Sequence, residues 1–136
     1  MTARFLTPFE RLGGRAVLHR IVDDFYARID ADRELRPIFP DDLVPGRERQ
    51  KLFLEQWLGG EPLYERAHGP PMMRRRHLPF RITVPGAERW LTHFEAALVA
   101  EGADEALAAE IMTALRPLAM RMVNTREVET QQGGGA

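Results

Sequence analysis

Apolar positions recur at helical spacing in two long stretches of the chain. Between Arg15 and Ile29, one helix face carries Val17, Leu18, Ile21, Val22, Phe25, Tyr26 and Ile29. A similar stripe between about Pro85 and Ala100 carries Trp90, Leu91, Phe94, Ala97 and Leu98. No stretch alternates apolar and polar residues over the length that a half-buried strand requires. The pattern therefore predicts an all-α fold.

Capping residues mark the first and last helices. The segment Thr7-Pro8-Phe9-Glu10 has the form of a capping box with proline at the first helical position, and Gly13-Gly14 closes that helix. Asp104 is expected to cap the last helix, which runs to about Asn124 with Pro117 as the place for a kink. Both ends of the chain are therefore predicted to be helical.

The middle of the chain is predicted to contain more loop. Asp32–Leu35 is expected to form a capped turn, followed by a helix over about Arg47–Leu58. The stretch Glu61–Pro71 holds three prolines and is expected to be a loop, and a two-turn helix over about Met72–Leu78 ends at Pro79. Because so little helix is predicted here, a large apolar cofactor could supply the missing packing.

Composition limits the possible classes of function. The 136 residues suffice for one domain with a single core, expected over 1–127, with a disordered tail over 128–136. The formal net charge of -1 gives no electrostatic reason to bind nucleic acid or anionic lipid. The absence of cysteine excludes disulfides, iron–sulfur clusters and cysteine-based zinc sites. Without a long apolar run or a signal peptide, a cytoplasmic location away from membranes is expected.

The four histidines, His19, His68, His77 and His93, are the candidate metal ligands. None is paired with another at the spacing that dinuclear or zinc sites use, so a polynuclear site is not expected. A single histidine can still hold an iron whose other ligands are porphyrin nitrogens. His77 is best placed, because the unpaired carbonyls of its short helix could accept its second ring N–H. The other three are expected to be solvated, without a functional role.

Local residues alone leave two alternatives open. The more common outcome for a histidine such as His77 is a surface position in a basic turn, although Arg74–Arg76 could also pair with haem propionates. Tyr26, Trp90 and Gln50 each place a polar group on an otherwise apolar helix face. One shared ligand would satisfy all three groups, but core residues that bond to the backbone are the more common case.

A series of short segments narrows these alternatives. The segments are Phe25-Tyr26, Pro37-Ile38-Phe39-Pro40, Phe53-Leu54, Gln56-Trp57-Leu58-Gly59-Gly60, Leu63-Tyr64, His68-Gly69, Arg74 with Arg76-His77-Leu78-Pro79-Phe80-Arg81-Ile82, Trp90-Leu91 and Met122-Val123-Asn124. In this order, over about residues 5–125, they make the chain resemble the group II truncated haemoglobins. The Arg-His-x-Pro-Phe segment with a following tryptophan rarely arises by chance at this spacing. The resemblance implies a two-over-two helical sandwich around haem b.

The resemblance also implies roles for individual residues. His77 corresponds to the proximal iron ligand, Tyr26 and Trp90 to distal residues that face a bound ligand, and Gln50 to a variable distal position. The residues that would contact the haem itself are Phe39, Arg49, Phe53, Tyr64 and Arg76, of which Arg49, Tyr64 and Arg76 would meet the propionates. Ordinary globins carry a distal histidine where this chain has Val44-Pro45-Gly46. Gly46 would therefore face the pocket and could leave a side entrance open.

Several classes of function follow. The first is reversible binding or carriage of O₂, NO or CO, with Tyr26, Trp90 and Gln50 donating to the bound ligand and slowing its release. The second is redox catalysis, such as NO oxidation or peroxide reduction with an external reductase. The third is a sensing module that acts through a partner. A homodimer through the Trp90 helix or the terminal helix is also open, and the non-haem alternative is a plain helical interaction domain.

Overall fold

The computed structural model describes residues 6–77 and 80–125, which fold into seven α-helices and one 3₁₀ turn. The helices are α1 (Pro8–Leu12), α2 (Arg15–Ala31), α3 (Val44–Trp57), α4 (Leu63–His68), α5 (Met73–His77), α6 (Val84–Ala100) and α7 (Glu105–Arg121), and the turn lies at Arg36–Ile38. No strand occurs in the described ranges, and the all-α prediction is confirmed. The tail predicted over 128–136 lies outside the described residues, as do residues 78 and 79.

The predicted capping signals are present. The backbone N–H of Glu10 donates to Thr7 Oγ1 at 3.1 Å, and the N–H of Thr7 donates to Glu10 Oε1 at 3.0 Å, which completes the capping box of α1. At the start of α7, Asp104 accepts from the N–H of Leu107 at 3.2 Å. Asp32 Oδ1 accepts from two backbone N–H groups of the turn that follows it. Local sequence therefore determines these three chain positions.

The segment Glu61–Pro71, predicted as a loop, contains α4. Gln56 Oε1, on the preceding helix, accepts from the backbone N–H of Glu65 at 2.9 Å and caps the first turn of α4 from outside the segment. Tyr64 is buried, with its ring edge-on to that of Phe53 at a centroid distance of 6.0 Å. These tertiary contacts stabilise a helix in a segment whose prolines predicted a loop.

Two other helix ends differ from the prediction. Helix α3 begins at Val44, earlier than predicted, with Pro45 in its first turn. First-turn N–H groups have no acceptor within the helix, so a proline there costs no hydrogen bond. Asp42 Oδ1 accepts from the N–H of Val44 at 3.0 Å. Helix α7 continues through Pro117 but ends at Arg121, short of the predicted end.

The long helices pack as two pairs. Helix α2 packs against α3 and α6, and α6 packs against α7, so the pairs α2–α3 and α6–α7 form the two layers of a two-over-two sandwich. Phe25 and Phe94 are fully buried between α2 and α6, with their rings edge-to-face at 5.2 Å. Burial of each such side chain stabilises the fold by about 2–3 kcal/mol. Among the described residues, no helix is both long and apolar enough to cross a membrane.

Candidate functional site

A cavity of about 470 Å³ lies between the two layers, and each helix from α2 to α7 contributes to its wall. Its lining includes all nine residues that the sequence predicts as functional, namely Tyr26, Phe39, Arg49, Gln50, Phe53, Tyr64, Arg76, His77 and Trp90. Gly46 lines it as well, whereas Arg74 and Arg75 do not. The cavity is of the size that proteins use to enclose small molecules and cofactors.

His77, at the end of α5, is half-buried in the cavity wall. Its Nδ1 lies 2.7 Å from the carbonyl oxygen of Met73, one turn earlier. Because a carbonyl can only accept, Nδ1 carries the proton and donates it. This bond fixes the tautomer, so the neutral ring keeps a lone pair on Nε2 for a metal. His77 is therefore not a surface histidine. The three arginines that precede it on α5 are exposed, as the alternative of a basic surface turn predicted.

Asn124, just after α7, holds the segment that follows His77. Its side-chain Nδ2 donates to the carbonyl oxygen of His77 at 3.2 Å and to that of Phe80 at 2.8 Å. Its Oδ1 accepts from the N–H of Ile82 at 3.0 Å. The sequence analysis assigned no such role to Asn124, and nothing in its local sequence indicates contacts so far away in the chain. These bonds join the end of α5 to the end of α7.

Three polar groups line the cavity without a side-chain hydrogen bond in the part of the chain that the structure describes: the Tyr26 hydroxyl, the Gln50 amide and the Trp90 indole N–H. The alternative in which they bond to the backbone does not occur there. These three groups are also not fully buried, because every fully buried side-chain nitrogen or oxygen of the described residues has a hydrogen-bond partner. All three therefore remain available to a ligand in the cavity.

Aromatic packing holds two of these donors in place. The ring of Phe25 stands edge-on to Tyr26 at 5.5 Å and to Trp90 at 4.9 Å. Trp90 also stacks on Phe94, with an interplanar angle of 5°, and Tyr26 contacts Phe39 edge-on at 6.3 Å. Edge-to-face pairs add about 0.5–1.5 kcal/mol each beyond their burial. Packing against neighbouring aromatic rings thus orients the side chains of Tyr26 and Trp90.

The cavity has a basic edge. The guanidinium of Arg76 lies over the ring of Tyr64 at 5.6 Å, and its Nε donates to the carbonyl oxygen of Pro71 at 2.9 Å. Arg49, on α3, is the second arginine in the lining. An apolar cavity with a fixed histidine and cations at its edge suits an apolar ring that carries carboxylates and a metal.

Comparison with known proteins identifies the family. The model for the family "Bacterial-like globin" matches residues 7–124. The chain is a bacterial-like globin. Group 2 truncated hemoglobin YjbI of Bacillus subtilis is 41% identical to it over 129 residues, which cover 95% of this globin and 97% of the relative.

Solved structures give the same result. The group II truncated hemoglobin from Bacillus anthracis has a TM-score of 0.89 at 42% identity, over 92% of this globin and 96% of that chain. A truncated oxygen-avid haemoglobin from Bacillus subtilis has a TM-score of 0.83 at 41% identity, over 88% and 100% of the two chains. The resemblance to group II truncated haemoglobins and the two-over-two fold are confirmed. Membership implies a haem cofactor and small diatomic ligands.

Tyr26 keeps its proton in this globin. Burial raises the pKa of the Tyr26 hydroxyl to about 12, against the opposing effect of the positive charges of Arg49 and Arg47. The hydroxyl is therefore a hydrogen-bond donor throughout the physiological pH range. Since the donor set, the tautomer of His77 and the apolar walls all suit haem, the described residues fit the cofactor that the family implies.

The carboxylate of Asp32, predicted only as a turn cap, is buried and joins α6 to the end of α2. The Asp32 side chain is only 3% exposed, and it accepts from Nε and Nη2 of Arg89, both at 3.0 Å, and from Nε2 of His93 at 2.7 Å. The bonds from Arg89, followed by that from His93, hold the pKa of Asp32 well below its usual range.

The expectation that His93 is solvated is therefore wrong. His93 follows Arg89 by four residues, so both side chains lie on one face of α6. This spacing was the sequence signal that the two residues could share a partner. His68 is exposed, as expected, and His19 is half-buried.

Proposed function

We propose that this globin binds haem b, with Nε2 of His77 as the iron ligand, and that it stabilises bound O₂ through Tyr26, Trp90 and Gln50. The observation that carries the proposal is that one cavity holds both a histidine whose Nδ1–H is tied to a carbonyl and three hydrogen-bond donors without partners in the described chain. Haem supplies an iron that binds small diatomic ligands reversibly in its ferrous form.

On the distal side, the residues act as fixed donors. The Tyr26 O–H keeps its proton because burial raises its pKa to about 12, and the Trp90 N–H is oriented by its stack on Phe94. A ligand that gains negative charge accepts from both, with Gln50 as a third donor, and water-poor surroundings strengthen these bonds. Slow ligand release follows, in keeping with the oxygen-avid character of the Bacillus subtilis neighbour.

Other residues of the cavity hold the cofactor. Phe39 and Phe53 supply apolar contact with the macrocycle, in the roles that the family resemblance assigns. Arg76, with Tyr64 beneath its guanidinium, and Arg49 meet the propionates, because a planar guanidinium pairs well with a carboxylate. Asn124 keeps the carbonyl end of α5 in position and is thereby a positioning residue for His77.

The deciding experiment is the visible spectrum of the purified, haem-reconstituted protein, for the wild type, His77→Gly and a control, His19→Gly. The wild type and the control are expected to show a strong Soret band. In His77→Gly the band should be lost or shifted, and added imidazole should restore it by occupying the vacated ligand position. A wild type that takes up no haem would overturn the proposal, and so would an unchanged spectrum in His77→Gly.

Redox catalysis is the second candidate, because donors to an electron-rich oxygen also suit NO oxidation and peroxide reduction. It requires an external electron donor such as a reductase. Two assays separate these activities from simple binding. One measures steady-state consumption of NO by the O₂-bound protein with a reductase, and the other measures peroxide turnover with a dye substrate. Turnover no faster than that of free haem would leave reversible binding as the function.

A further inference from the structure

Charge is distributed unevenly along this chain. The segment 66–87 contains five arginines and no aspartate or glutamate, whereas the segment 90–115 contains five acidic residues and no lysine or arginine. Of the 19 basic residues, the 14 that lie outside 66–87 face all 20 acidic residues, so the rest of the chain has a formal net charge of -6. A chain with little net charge therefore carries one strongly basic segment.

The fold places the basic and the acidic segment at opposite ends of α6. The basic segment contains α5 and leads into the first turn of α6. Glu101 and Asp104 lie in the connection from the other end of α6 to α7, and Asn124, after the last turn of α7, returns to the carbonyl oxygen of His77. Because α6 has 17 residues, its ends are about 25 Å apart. The molecule is therefore dipolar, with its basic end at α5.

Arg74 and Arg75 are the exposed cations of α5. Neither lines the cavity, and neither has a salt bridge or a side-chain hydrogen bond within the described residues. The proposed haem contacts do not use them, since the propionates are assigned to Arg76 and Arg49. These two guanidinium charges can therefore pair with carboxylates that come from outside the molecule.

The residue that precedes α5 adds an apolar group beside these cations. Met72 is 53% exposed, and its φ of 45° lies in the left-handed region that residues other than glycine disfavour. Among the described residues, it is the sole residue other than glycine with a positive φ. Backbone conformations of this kind cluster at functional positions, and methionine and arginine are both enriched in protein interfaces.

These three residues lie close to the iron ligand. His77 is the last residue of α5, and its side chain lines the cavity. A helix with its side chains is about 10–12 Å across, so a protein that packs on the exposed side of α5 lies about one helix diameter from His77. Because electron transfer through protein slows steeply with distance, this is a favourable position from which to supply an electron.

We infer that Met72, Arg74 and Arg75, here called the α5 face, form the docking surface for an acidic electron-donor protein. The inference rests on the proposed haem function, and it names the partner that keeps the iron in its ferrous form. One electron passes from the reduced centre of the partner to the ferric iron, which becomes ferrous while the partner is oxidised by one electron. No bond forms or breaks in this step.

The charge of the partner follows from complementarity. Two unpaired arginines attract carboxylates, and the acidic far end of α6 orients the basic end of the molecule toward a negative surface. A membrane or a nucleic acid presents negative charge over a wide area, which the net charge of -6 outside 66–87 repels. A small acidic protein can cover the α5 face alone and so avoid this repulsion.

The test uses plant-type ferredoxin, an acidic iron–sulfur protein of low potential, as the electron donor. Stopped flow measures the rate at which reduced ferredoxin converts the ferric holoprotein, under CO, to its ferrous CO complex. Lumiflavin semiquinone, which is small and uncharged, is the reference donor. The variants are Arg74→Gln/Arg75→Gln and, with the same change of charge, the control Arg11→Gln/Arg20→Gln, whose arginines pair with glutamates of the acidic segment.

Arg74→Gln/Arg75→Gln is expected to slow reduction by ferredoxin about tenfold, the lower end of the effect of electrostatic steering, and the control should stay within about twofold of the wild type. Arg74→Lys/Arg75→Lys should retain most of the rate, because it keeps both charges. Lumiflavin should reduce all variants within about twofold of the wild type. The wild-type rate with ferredoxin should fall as ionic strength rises, whereas the rate with lumiflavin should not.

Binding of oxidised ferredoxin, measured by isothermal titration calorimetry, gives a readout that involves no electron transfer. Arg74→Gln/Arg75→Gln should weaken this binding about tenfold. Met72→Gly should weaken it several-fold by removing the apolar side chain, and the fold should persist because glycine adopts a φ of 45° without strain. Unchanged binding in Met72→Gly would remove Met72 from the docking surface.

Equal rates with ferredoxin for the wild type and Arg74→Gln/Arg75→Gln, or an equal loss in the control, overturn the inference. So does wild-type binding to phosphatidylserine vesicles or to duplex DNA that is tighter than binding to ferredoxin. Failure of the proposed function has a different signature, because the wild type then shows no Soret band. A Soret band and reduction by lumiflavin, with a ferredoxin rate insensitive to both arginines and to salt, mean that only the docking surface fails.

Discussion

Nε2 of His93 lies 2.7 Å from Oδ2 of Asp32, and this bond joins α6 to the residue that follows α2. Arg89 binds the same carboxylate through two nitrogens from the preceding turn of α6. Trp90 lies between these two residues in sequence, and Tyr26 lies on α2. The carboxylate therefore links the two helices that carry the principal distal donors.

Replacement of Asp32 by asparagine is expected to lower the free energy of unfolding at pH 7 by about 2–3 kcal/mol. Breaking a fully buried ion pair costs about 3–5 kcal/mol, and the partly exposed Arg89 can regain water. Chemical denaturation of the wild type and Asp32→Asn measures the difference. Glu88→Gln, which removes an exposed pair with Arg116, is the control and should cost less than about 1 kcal/mol.

The contribution of Asp32 should depend on pH in a defined direction. Its pKa is lower in the folded protein than the value of 3.8 expected for an unfolded chain, so its stabilising effect is complete above that value. It is lost as the pH falls toward the lower pKa of the folded state. The stability gap between the wild type and Asp32→Asn should therefore shrink as the pH falls below about 4. A gap that widens below pH 4 would contradict this assignment.

Asn124→Ala is expected to weaken haem retention without greatly destabilising the core. The substitution removes two donations to carbonyls, at His77 and Phe80, and one acceptance from Ile82. Because Asn124 is exposed, the loss of stability should remain near 1 kcal/mol. Haem transfer to apomyoglobin should accelerate several-fold, and Thr113→Ala, an exposed position on α7, serves as control. Unchanged haem transfer would show that Asn124 does not position His77.

Tyr26→Phe and Trp90→Phe should both accelerate O₂ dissociation. Each removes one donor while retaining an aromatic ring, so the packing against Phe25 persists. A lost bond to a charged acceptor is worth about 1.5–3 kcal/mol, which corresponds to about 10- to 150-fold in rate. Stopped-flow displacement of O₂ by CO measures the effect. If Tyr26→Phe leaves the rate unchanged, Tyr26 is not a donor to the ligand.

Two glycines of the α3 region should respond differently to alanine. A Cβ at Gly60 would come within 2.6 Å of Cγ of Glu55, whose side chain is buried and held by two bonds from Arg15. At Gly46 the nearest atom is 3.6 Å away, an ordinary contact. Gly60→Ala should therefore cost about 1–3 kcal/mol through overpacking, and Gly46→Ala should cost little. Thermal or chemical unfolding of both variants checks this contrast.

Elements defined by local chemistry were predictable from sequence. The capping box of α1, the Asp104 cap of α7 and the apolar stripes of α2 and α6 depend on residues within a few positions of each other. The cavity residues were found for a different reason, because their order along the chain resembles that of a known family. Periodicity alone left His77 as a surface histidine and Tyr26 and Trp90 as ordinary core aromatics.

What the sequence by itself determined is the all-helical class, the capped ends of the first and last helices and, through family resemblance, the set of side chains around one cavity. Only the tertiary structure decided the existence of α4, the pairing of His93 with Asp32 and the role of Asn124. The bond from Glu65 to Gln56 spans nine residues, that from His93 to Asp32 spans 61 and that from Asn124 to His77 spans 47. Such partners meet only after the helices have packed, so no local pattern of residues identifies the partner.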